Sequence, residues 1–261
     1  MRAFILAAGL GTRLRPLTER IPKPLVEVAG EPLVERAVRQ LVAAGIRDIG
    51  INLFHLGEQI PAWLGDGSRY GARLRFFDER PHIRGTGGGL KLAEDFLRGD
   101  GDTFVLVNGD VWHGFDIRAV TASHPPGALT TLAVHRERRR PELHHLGFAD
   151  DGRVVRINGT AAPAETIAFR AIYTGVAAFD VRVLEWLPPA DKVSGLISHG
   201  VMPAMAAGER VCWTEPAGRW FDCGTQGELL RASSHALRLR AQRALKVGFT
   251  RPRSRVALAI A

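Results

Sequence analysis

Apolar and polar positions divide the chain into a first half in which strands and helices alternate and a second half rich in short strands. Residues 4–8 form a short apolar run that breaks at Gly9-Leu10-Gly11-Thr12-Arg13, which reads as a buried strand running into a glycine loop. Leu33, Val34, Ala37, Val38, Leu41 and Val42 fall at helical spacing, and Gly45 supplies a C-terminal cap. The pattern then predicts a strand over 46–53, a short helix over 57–64, a turn at Gly65-Asp66-Gly67-Ser68 and a strand over 72–77. This order argues for a parallel, doubly wound sheet, whose ligands sit at the carboxyl ends of the strands.

Gly85-Thr86-Gly87-Gly88-Gly89 comes next, ahead of a helical run over 90–97. Three consecutive glycines cost backbone entropy, so their presence asks for close main-chain approach. An apolar strand over 103–107 ends in Asn108-Gly109-Asp110-Val111-Trp112. From 128 the texture changes. Strands are expected over 128–134, 147–149 and 153–157, with Asp150-Asp151-Gly152 as a hairpin turn, and a further strand over 172–179 is unusually rich in small residues. A helix over 182–187, a Pro203-interrupted helix over 194–207 and a strand over 210–214 lead to Trp220-Phe221-Asp222-Cys223-Gly224-Thr225. The final helix, over 226–247, places Leu230, Leu237, Ala241, Ala244 and Leu245 where they would cover the core or a neighbouring subunit.

Composition narrows the picture. A chain of 261 residues, 46% hydrophobic and with near-zero mean hydropathy, has the profile of a soluble globular protein with a full core. Its opening apolar run is too short to span a membrane and lacks a cleavage-like segment, so a cytoplasmic protein is expected. Cys212 and Cys223 make neither a disulfide framework nor a metal-binding spacing, and His144-His145, neighbours on opposite faces of a strand, do not form an ion site. The net charge of +8 resides in the last 31 residues, which hold eight Lys and Arg and no Asp or Glu. Without interleaved aromatics this basic run predicts no nucleic-acid partner.

Candidate chemistry concentrates in the glycine loop. Gly9 and Gly11 let main-chain N–H groups approach an anion, Arg13 offers a planar fork to phosphate oxygens, and Lys23 is a point charge on a segment stiffened by Pro22 and Pro24. The loop is not a dinucleotide fingerprint, since Leu14 stands at the third glycine position, and it lacks the Gly-Lys-Ser/Thr ending of a P-loop. Asp110, at a strand end with no clear helix after it to cap, suits a hard cation such as Mg2+.

Taken whole, Leu6 to Thr18 and Pro22 to Leu25 match L-A-A-G-x-G-T-R-L-x-P-L-T and P-K-P-L without a gap. That text resembles the opening signature of the sugar-1-phosphate nucleotidylyltransferases. Residues 220–225 look like the W-x-D-x-G-T of the same family, and Tyr173-Thr174-Gly175 like its sugar-side glycine segment, so the resemblance spans about residues 2–230. It implies an α/β fold, a Rossmann-like doubly wound mixed sheet of the nucleotide-diphospho-sugar transferase type with a small β-rich sugar-binding half. Residues 1–230 would form one domain, 1–127 holding nucleotide and 128–230 sugar phosphate, and 231–261 a basic helix and tail.

The implied reaction is Mg2+-dependent transfer of a nucleotidyl group from a nucleoside triphosphate to a sugar 1-phosphate, releasing pyrophosphate. Leu6, Ala7, Ala8, Gly9, Gly11, Thr12, Arg13 and Lys23, with Thr86, Gly87 and Gly88, would bind the nucleotide. Asn108, Gly109, Trp112, Thr174 and Gly175 would bind the sugar, and Asp110 and Asp222 the metal. Arg13, Lys23 and Asp110 would be catalytic, because the obstacle is repulsion between two polyanions and the nucleophile is already anionic. One departure stands out: the Glu-Lys-Pro that holds the sugar phosphate in much of the family is missing from Val155-Arg156-Ile157-Asn158-Gly159-Thr160, which leaves Arg170 as a substitute. The branch that uridylylates N-acetylmuramate 1-phosphate also lacks that motif. The chain resembles this branch in Gly65-Asp66-Gly67-Ser68-Arg69-Tyr70-Gly71, Thr86-Gly87-Gly88-Gly89 and Val107-Asn108-Gly109-Asp110-Val111-Trp112. UTP is therefore favoured over GTP. Guanylyl transfer to mannose or heptose 1-phosphate is the alternative, a catalytically silent nucleotide-sugar sensor or partner is the reading from another class, and a homo-oligomer is allowed.

Overall fold

The computed structural model of the chain describes residues 1–99, 101–136, 146–157, 160–161 and 167–249. The expectations placed on His144-His145, on Asn158-Gly159 and on the tail from 250 lie outside these residues.

The first half runs β1 (Arg2–Leu6), a small ribbon of β2 (Glu27–Val28) and β3 (Glu31–Pro32), α1 (Leu33–Ala43), β4 (Asp48–Leu53), α2 (Gln59–Leu64) and β5 (Arg73–Asp78). It continues through α3 (Gly85–Leu92), α4 (Glu94–Arg98), β6 (Thr103–Asn108), β7 (Val111–His113) and α5 (Ile117–Ala122). The second half adds β8 (Thr130–His135), β9 (Leu146–Phe148), β10 (Val154–Ile157), β11 (Thr160–Ala161) and β12 (Phe169–Asp180). It closes with α6 (Met202–Ala206), β13 (Val211–Thr214), β14 (Trp220–Asp222) and α7 (Gln226–Phe249).

Ten of these strands form one mixed sheet in the order β11-β10-β9-β12-β6-β1-β4-β5, with β8 joining β12 to β13. β5, β4, β1 and β6 are parallel, and β12 runs antiparallel to β6, so strands of both halves share the sheet. The chain leaves β1 for β4 on one side and later returns as β6 on the other. That reversal is a topological switch point, where neighbouring connections depart to opposite faces and leave a crevice.

Alternation along β1 sorts the core. Ala3 and Ile5 pack with Val34, Val38 and Leu41 of α1 and Val120 of α5, whereas Phe4 packs on the other face with Phe77, Phe96 and Phe104. Each fully buried Val, Leu, Ile or Phe side chain among these contributes about 1.5–3 kcal/mol. A third cluster gathers Leu14, Val26, Leu33, Trp112 and Cys223 beneath Leu229, Ala232 and Ala236 of α7. The final helix is thus a lid on the segment that follows the glycine loop, tied to it where the Ala29 N–H donates to Ser233 Oγ (3.3 Å) and Arg240 Nη1 donates to the Ala29 carbonyl (2.6 Å). Of the two expectations for the stripe, cover of the core does not hold: Leu230, Leu237 and Leu245 are 70%, 54% and 64% exposed. Residues one apart on a helix differ by about 100° in direction, so a one-residue difference in phase selects Leu229 over Leu230.

Other local differences have local causes. The run expected over 90–97 begins earlier, at Gly85, and breaks at Ala93 between α3 and α4. The segment over 194–207 is a π-helical turn, Leu196–Val201, followed by α6, with Pro203 in its first turn, where a missing N–H costs nothing. α5 was not evident from periodicity; Asp116 caps it by accepting from the Arg118 N–H at 2.9 Å.

His113 at the end of β7 is 1% exposed, stacks on Phe115 at 3.9 Å and lies 3.2 Å from Gln40 Nε2 through Nδ1. Burial, with the Arg36 charge adding, pushes its imidazole from 6.5 down to about 3. The unfolded chain therefore takes up this proton first, and stability is lost as pH falls from 6.5 towards 3. Thermal unfolding is expected to move to lower temperature across that window. In His113→Phe the decline is expected to be shallower, and an equal slope in both proteins would remove His113 as its source.

Candidate active site

The parallel register of β1 and β6 places Leu6 beside Asn108, so the glycine loop and the turn carrying Asp110 leave the same edge of the sheet. The Gly109 N–H donates to the Leu6 carbonyl at 2.8 Å, and a Cβ at Gly109 would stand 2.9 Å from that oxygen. Between these segments opens a cleft of about 170 Å³ that is continuous with the solvent. One wall is Leu6, Ala7, Ala8, Gly9 and Lys23; the other is Ile83, Gly85 and Thr86; Asn52, Glu79, Asn108 and Asp110 complete it.

Two ion pairs bind the signature segment to the strand ends. Lys23, 6% exposed in the turn Lys23–Leu25, places Nζ 2.5 Å from Asp110 Oδ2. Arg13, exposed on the turn Thr12–Leu14, lies 3.7 Å through Nη1 from Asp222 Oδ2. Asp222 in turn pairs in register with Val111, the neighbour of Asp110. Gly224 makes room for the arginine, since a Cβ there would sit 2.6 Å from Arg13 Nη2. Burial pushes the Cys223 thiol up to about 12, and the charges of Asp110 and Asp222 push in the same direction, so both carboxylates act on one buried atom. Arg13, Lys23, Asp110 and Asp222 thus form two ion pairs whose carboxylates stand on the paired strand ends. Gly11 holds φ at +64°, a left-handed turn fastened where Thr18 Oγ1 donates to its carbonyl at 2.8 Å.

Several expected binding residues have different surroundings. The Gly87 and Gly88 N–H groups, expected to meet a nucleotide base, both donate to the Ser194 carbonyl, at 2.8 and 3.4 Å. Their lack of side chains serves packing: a Cβ at Gly87 would meet Ser194 Oγ at 2.7 Å, and one at Gly88 would meet the Lys192 carbonyl at 3.0 Å. Thr86 does line the cleft, with Oγ1 accepting from the Leu196 N–H at 2.8 Å. Trp112, expected at the sugar, is 2% exposed in the third cluster, edge-on to Phe221 and beneath the Arg36 guanidinium at 4.4 Å. The Thr174 hydroxyl also faces away, donating to the Ala133 carbonyl at 2.8 Å. Gly175 remains near the cleft: at φ +77° it sits where the β12–β8 register shifts, and a Cβ there would be 2.5 Å from Asn108 Nδ2. The substitute cation Arg170 is exposed on β12 and does not line the cleft.

The pattern reading overlooked Asn52 and Glu79, although a signal for each existed. Asn52 is the one amide in the apolar strand β4, and Glu79 follows directly on β5, both at the carboxyl ends where ligands gather. Burial raises the Glu79 carboxyl above the usual carboxylate range, opposed by N–H donors from Arg84 and Asn52.

Sheet order, switch-point cleft and paired charges together define an α/β protein of the nucleotide-diphospho-sugar transferase type. A family model described as nucleotidyl transferase matches residues 2–238, and the chain belongs to that family. Among curated relatives, the N-acetylmuramate alpha-1-phosphate uridylyltransferase of Neisseria meningitidis is 33% identical over 240 residues, covering 90% of this chain and 98% of its own. The mannose-1-phosphate guanylyltransferase of Mycobacterium tuberculosis is 30% identical over 247 residues, covering 90% of this chain and 64% of its own. The chain spans about half the length of another such relative, from Synechocystis. Among solved structures, HddC from Yersinia pseudotuberculosis superposes with a TM-score of 0.72 at 21% identity, over 90% of this chain and 98% of that one, a likeness of fold.

The burial of Trp112 yields a prediction. Trp112→Ala is expected to lower unfolding free energy by about 3–5 kcal/mol in a denaturant titration, as for a large core aromatic. A loss below about 1 kcal/mol, on the scale of an exposed substitution, would place the ring outside the core.

Proposed function

We propose that the protein transfers a nucleotidyl group from a nucleoside triphosphate to a sugar 1-phosphate, with UTP and N-acetylmuramate 1-phosphate or a similar sugar phosphate as the favoured pair. The observation that carries this reading is the Lys23–Asp110 pair in the cleft wall, with the Arg13–Asp222 pair on the adjoining strand end. The preference for uridylyl transfer rests on the Neisseria relative, matched over nearly its whole length at the higher identity, and on the missing Glu-Lys-Pro. Guanylyl transfer is the second reading, supported by the mycobacterial relative.

In this reading residues 1–127 hold the nucleotide, 128–230 the sugar phosphate, and 231–261 form an appended basic segment. The cleft's charge arrangement gives each substrate end a place. Lys23 and Arg13 offset the charge of the triphosphate, Arg13 acting where pyrophosphate charge grows, and Leu6 to Gly9 supply the wall along which the phosphates lie. Asn108, backed by Gly175, faces the sugar. No proton must move at the start, because the attacking phosphate oxygen is already anionic, so the carboxylates are not an acid–base pair.

Asp110 and Asp222 suit a hard divalent cation. They are carboxylates on two paired strands, Asp222 standing opposite Val111, the residue after Asp110. Mg2+ commonly takes one or two carboxylates and completes its shell with water and phosphate oxygens, and when bound it supplies positive charge shared by both substrates. A cytoplasmic location belongs to the same proposal. It is supported by the fact that, among the described residues, no helix is long and apolar enough to cross a membrane.

The test is pyrophosphate release with Mg2+ across a grid of nucleoside triphosphates against N-acetylmuramate, mannose, glucose, N-acetylglucosamine and heptose 1-phosphates. One bright cell for UTP and N-acetylmuramate 1-phosphate is the expected result; a GTP and mannose cell would move the assignment to the second reading. A dark grid from protein that still binds nucleotide would favour a silent sensor or partner. Asp110→Ala is expected to abolish turnover with the fold intact, and normal turnover would sink the metal assignment. Arg13→Ala is expected to lower kcat by about 100-fold or more with little change in sugar-phosphate KM. A change confined to that KM would put the arginine on the other substrate.

A further inference from the structure

Beneath the cleft runs a chain of three hydrogen bonds that the charge-based account does not use. Asn52 Oδ1 accepts from the Ala7 N–H at 2.6 Å, Asn52 Nδ2 donates to Glu79 Oε1 at 2.7 Å, and Glu79 Oε2 accepts from the Arg84 N–H at 2.7 Å. Asn52 is 2% exposed and Glu79 fully buried, yet both border the cleft. Gly89 admits them, since a Cβ there would lie 2.6 Å from Glu79 Oε1 and 2.7 Å from Asn52 Nδ2.

The chain joins the two walls. Ala7 belongs to the segment leaving β1, and Arg84 immediately precedes Gly85 and Thr86 at the start of α3. The Ala7 amide is committed to Asn52, so what this amide does in the site is fix position. Glu79 is held by N–H donors rather than by a cation, for the Arg84 guanidinium turns to the Ala190 carbonyl instead. Burying a carboxylate without an ion-pair partner costs stability, and a neutral core link would not need it. The carboxylate has a specific use here. It accepts on both oxygens, one from Asn52 and one from Arg84, whereas an amide at 79 would turn an N–H towards one of the two donors.

We propose that Asn52 and Glu79 are positioning residues for the nucleotide: their hydrogen bonds set the separation between the Ala7–Gly9 wall and the Gly85–Thr86 wall, and so govern nucleotide affinity without governing sugar-phosphate affinity. This rests on the reading that the cleft takes a nucleoside triphosphate. The sugar-phosphate side, at Asn108 and Gly175, lies on β6 and β12 and is not part of the chain of bonds.

A charge swap tests it. Asn52→Asp sets a carboxylate oxygen against a carboxylate at hydrogen-bond distance, and Glu79→Gln sets N–H against N–H. The double variant Asn52→Asp/Glu79→Gln keeps all three hydrogen bonds and moves the charge by one residue. Direct titration of the full chain with UTP and with GTP, without sugar phosphate, is expected to show each single variant weakened by about 10- to 100-fold and the double variant within a few-fold of the parent. In steady state the singles should raise KM for the triphosphate and leave KM for the sugar phosphate within about two- to threefold. Asn52→Ser, which adds no charge, replaces a single variant that does not fold, with the same selective loss expected. Single variants that bind nucleotide normally, that raise both KM values alike, or whose defect the double variant does not relieve would each overturn the assignment. A parent chain that binds nucleotide but shows no turnover overturns the transferase reading alone, since the titration still tests the positioning pair. One that binds no nucleotide overturns both.

Discussion

The register of the β1–β6 pair governs everything at the cleft. Five consecutive residue pairs, from Arg2 with Phe104 to Leu6 with Asn108, lock the two strands in parallel. A shift by one residue would reverse the facing of every side chain on β1, exposing Phe4 or Ile5 to the wrong core layer. The two aromatic and aliphatic layers therefore enforce the register, and the register delivers the glycine loop and Asp110 to one point. The chemistry of the site is a by-product of core packing in that sense.

Charge at the cleft obeys a second constraint. Lys23 is almost wholly buried, and an isolated ammonium there would be costly, so its pairing with Asp110 offsets part of the cost of burying it. Pro22 and Pro24 limit the backbone freedom of the lysine and help aim it. Arg13 has the opposite character, with an exposed guanidinium 3.7 Å from Asp222. One cation is buried in a close pair and the other exposed in a looser one.

Elements far apart in sequence support this arrangement. α7, more than 200 residues after β1, seals Leu14, Val26 and Trp112 below the signature segment, and the 194–201 segment receives the glycines of α3. Apart from the Ser233 and Arg240 side chains that meet Ala29, these contacts are main-chain or apolar. The Asn52–Glu79 link works in the same spirit on the other side, joining β4, β5 and the start of α3 beneath the open space.

Local spacing determined much of this protein. The apolar run into Gly9 and Gly11, the helix over α1 with its Gly45 cap, the apolar strand β6 ending at Asp110 and the W-x-D-x-G-T text at Trp220 were all legible. Each depends on neighbours within a few residues, and the mixed doubly wound sheet and the family followed from them. What the tertiary structure decided was orientation and partnership. Trp112 and Thr174 stand beside site residues in sequence, but strand alternation and the third cluster turn their side chains away. Gly87 and Gly88 read as binding glycines because a missing Cβ has the same spelling whether it admits a ligand or the Ser194 carbonyl. Asn52 and Glu79 carry no motif, and only the pairing of β1 with β4 and β4 with β5 brings them under the cleft. One residue of helical phase in α7 set Leu229 inside and Leu230 outside. These outcomes depend on contacts between residues tens to hundreds of positions apart, which spacing along a single chain does not encode.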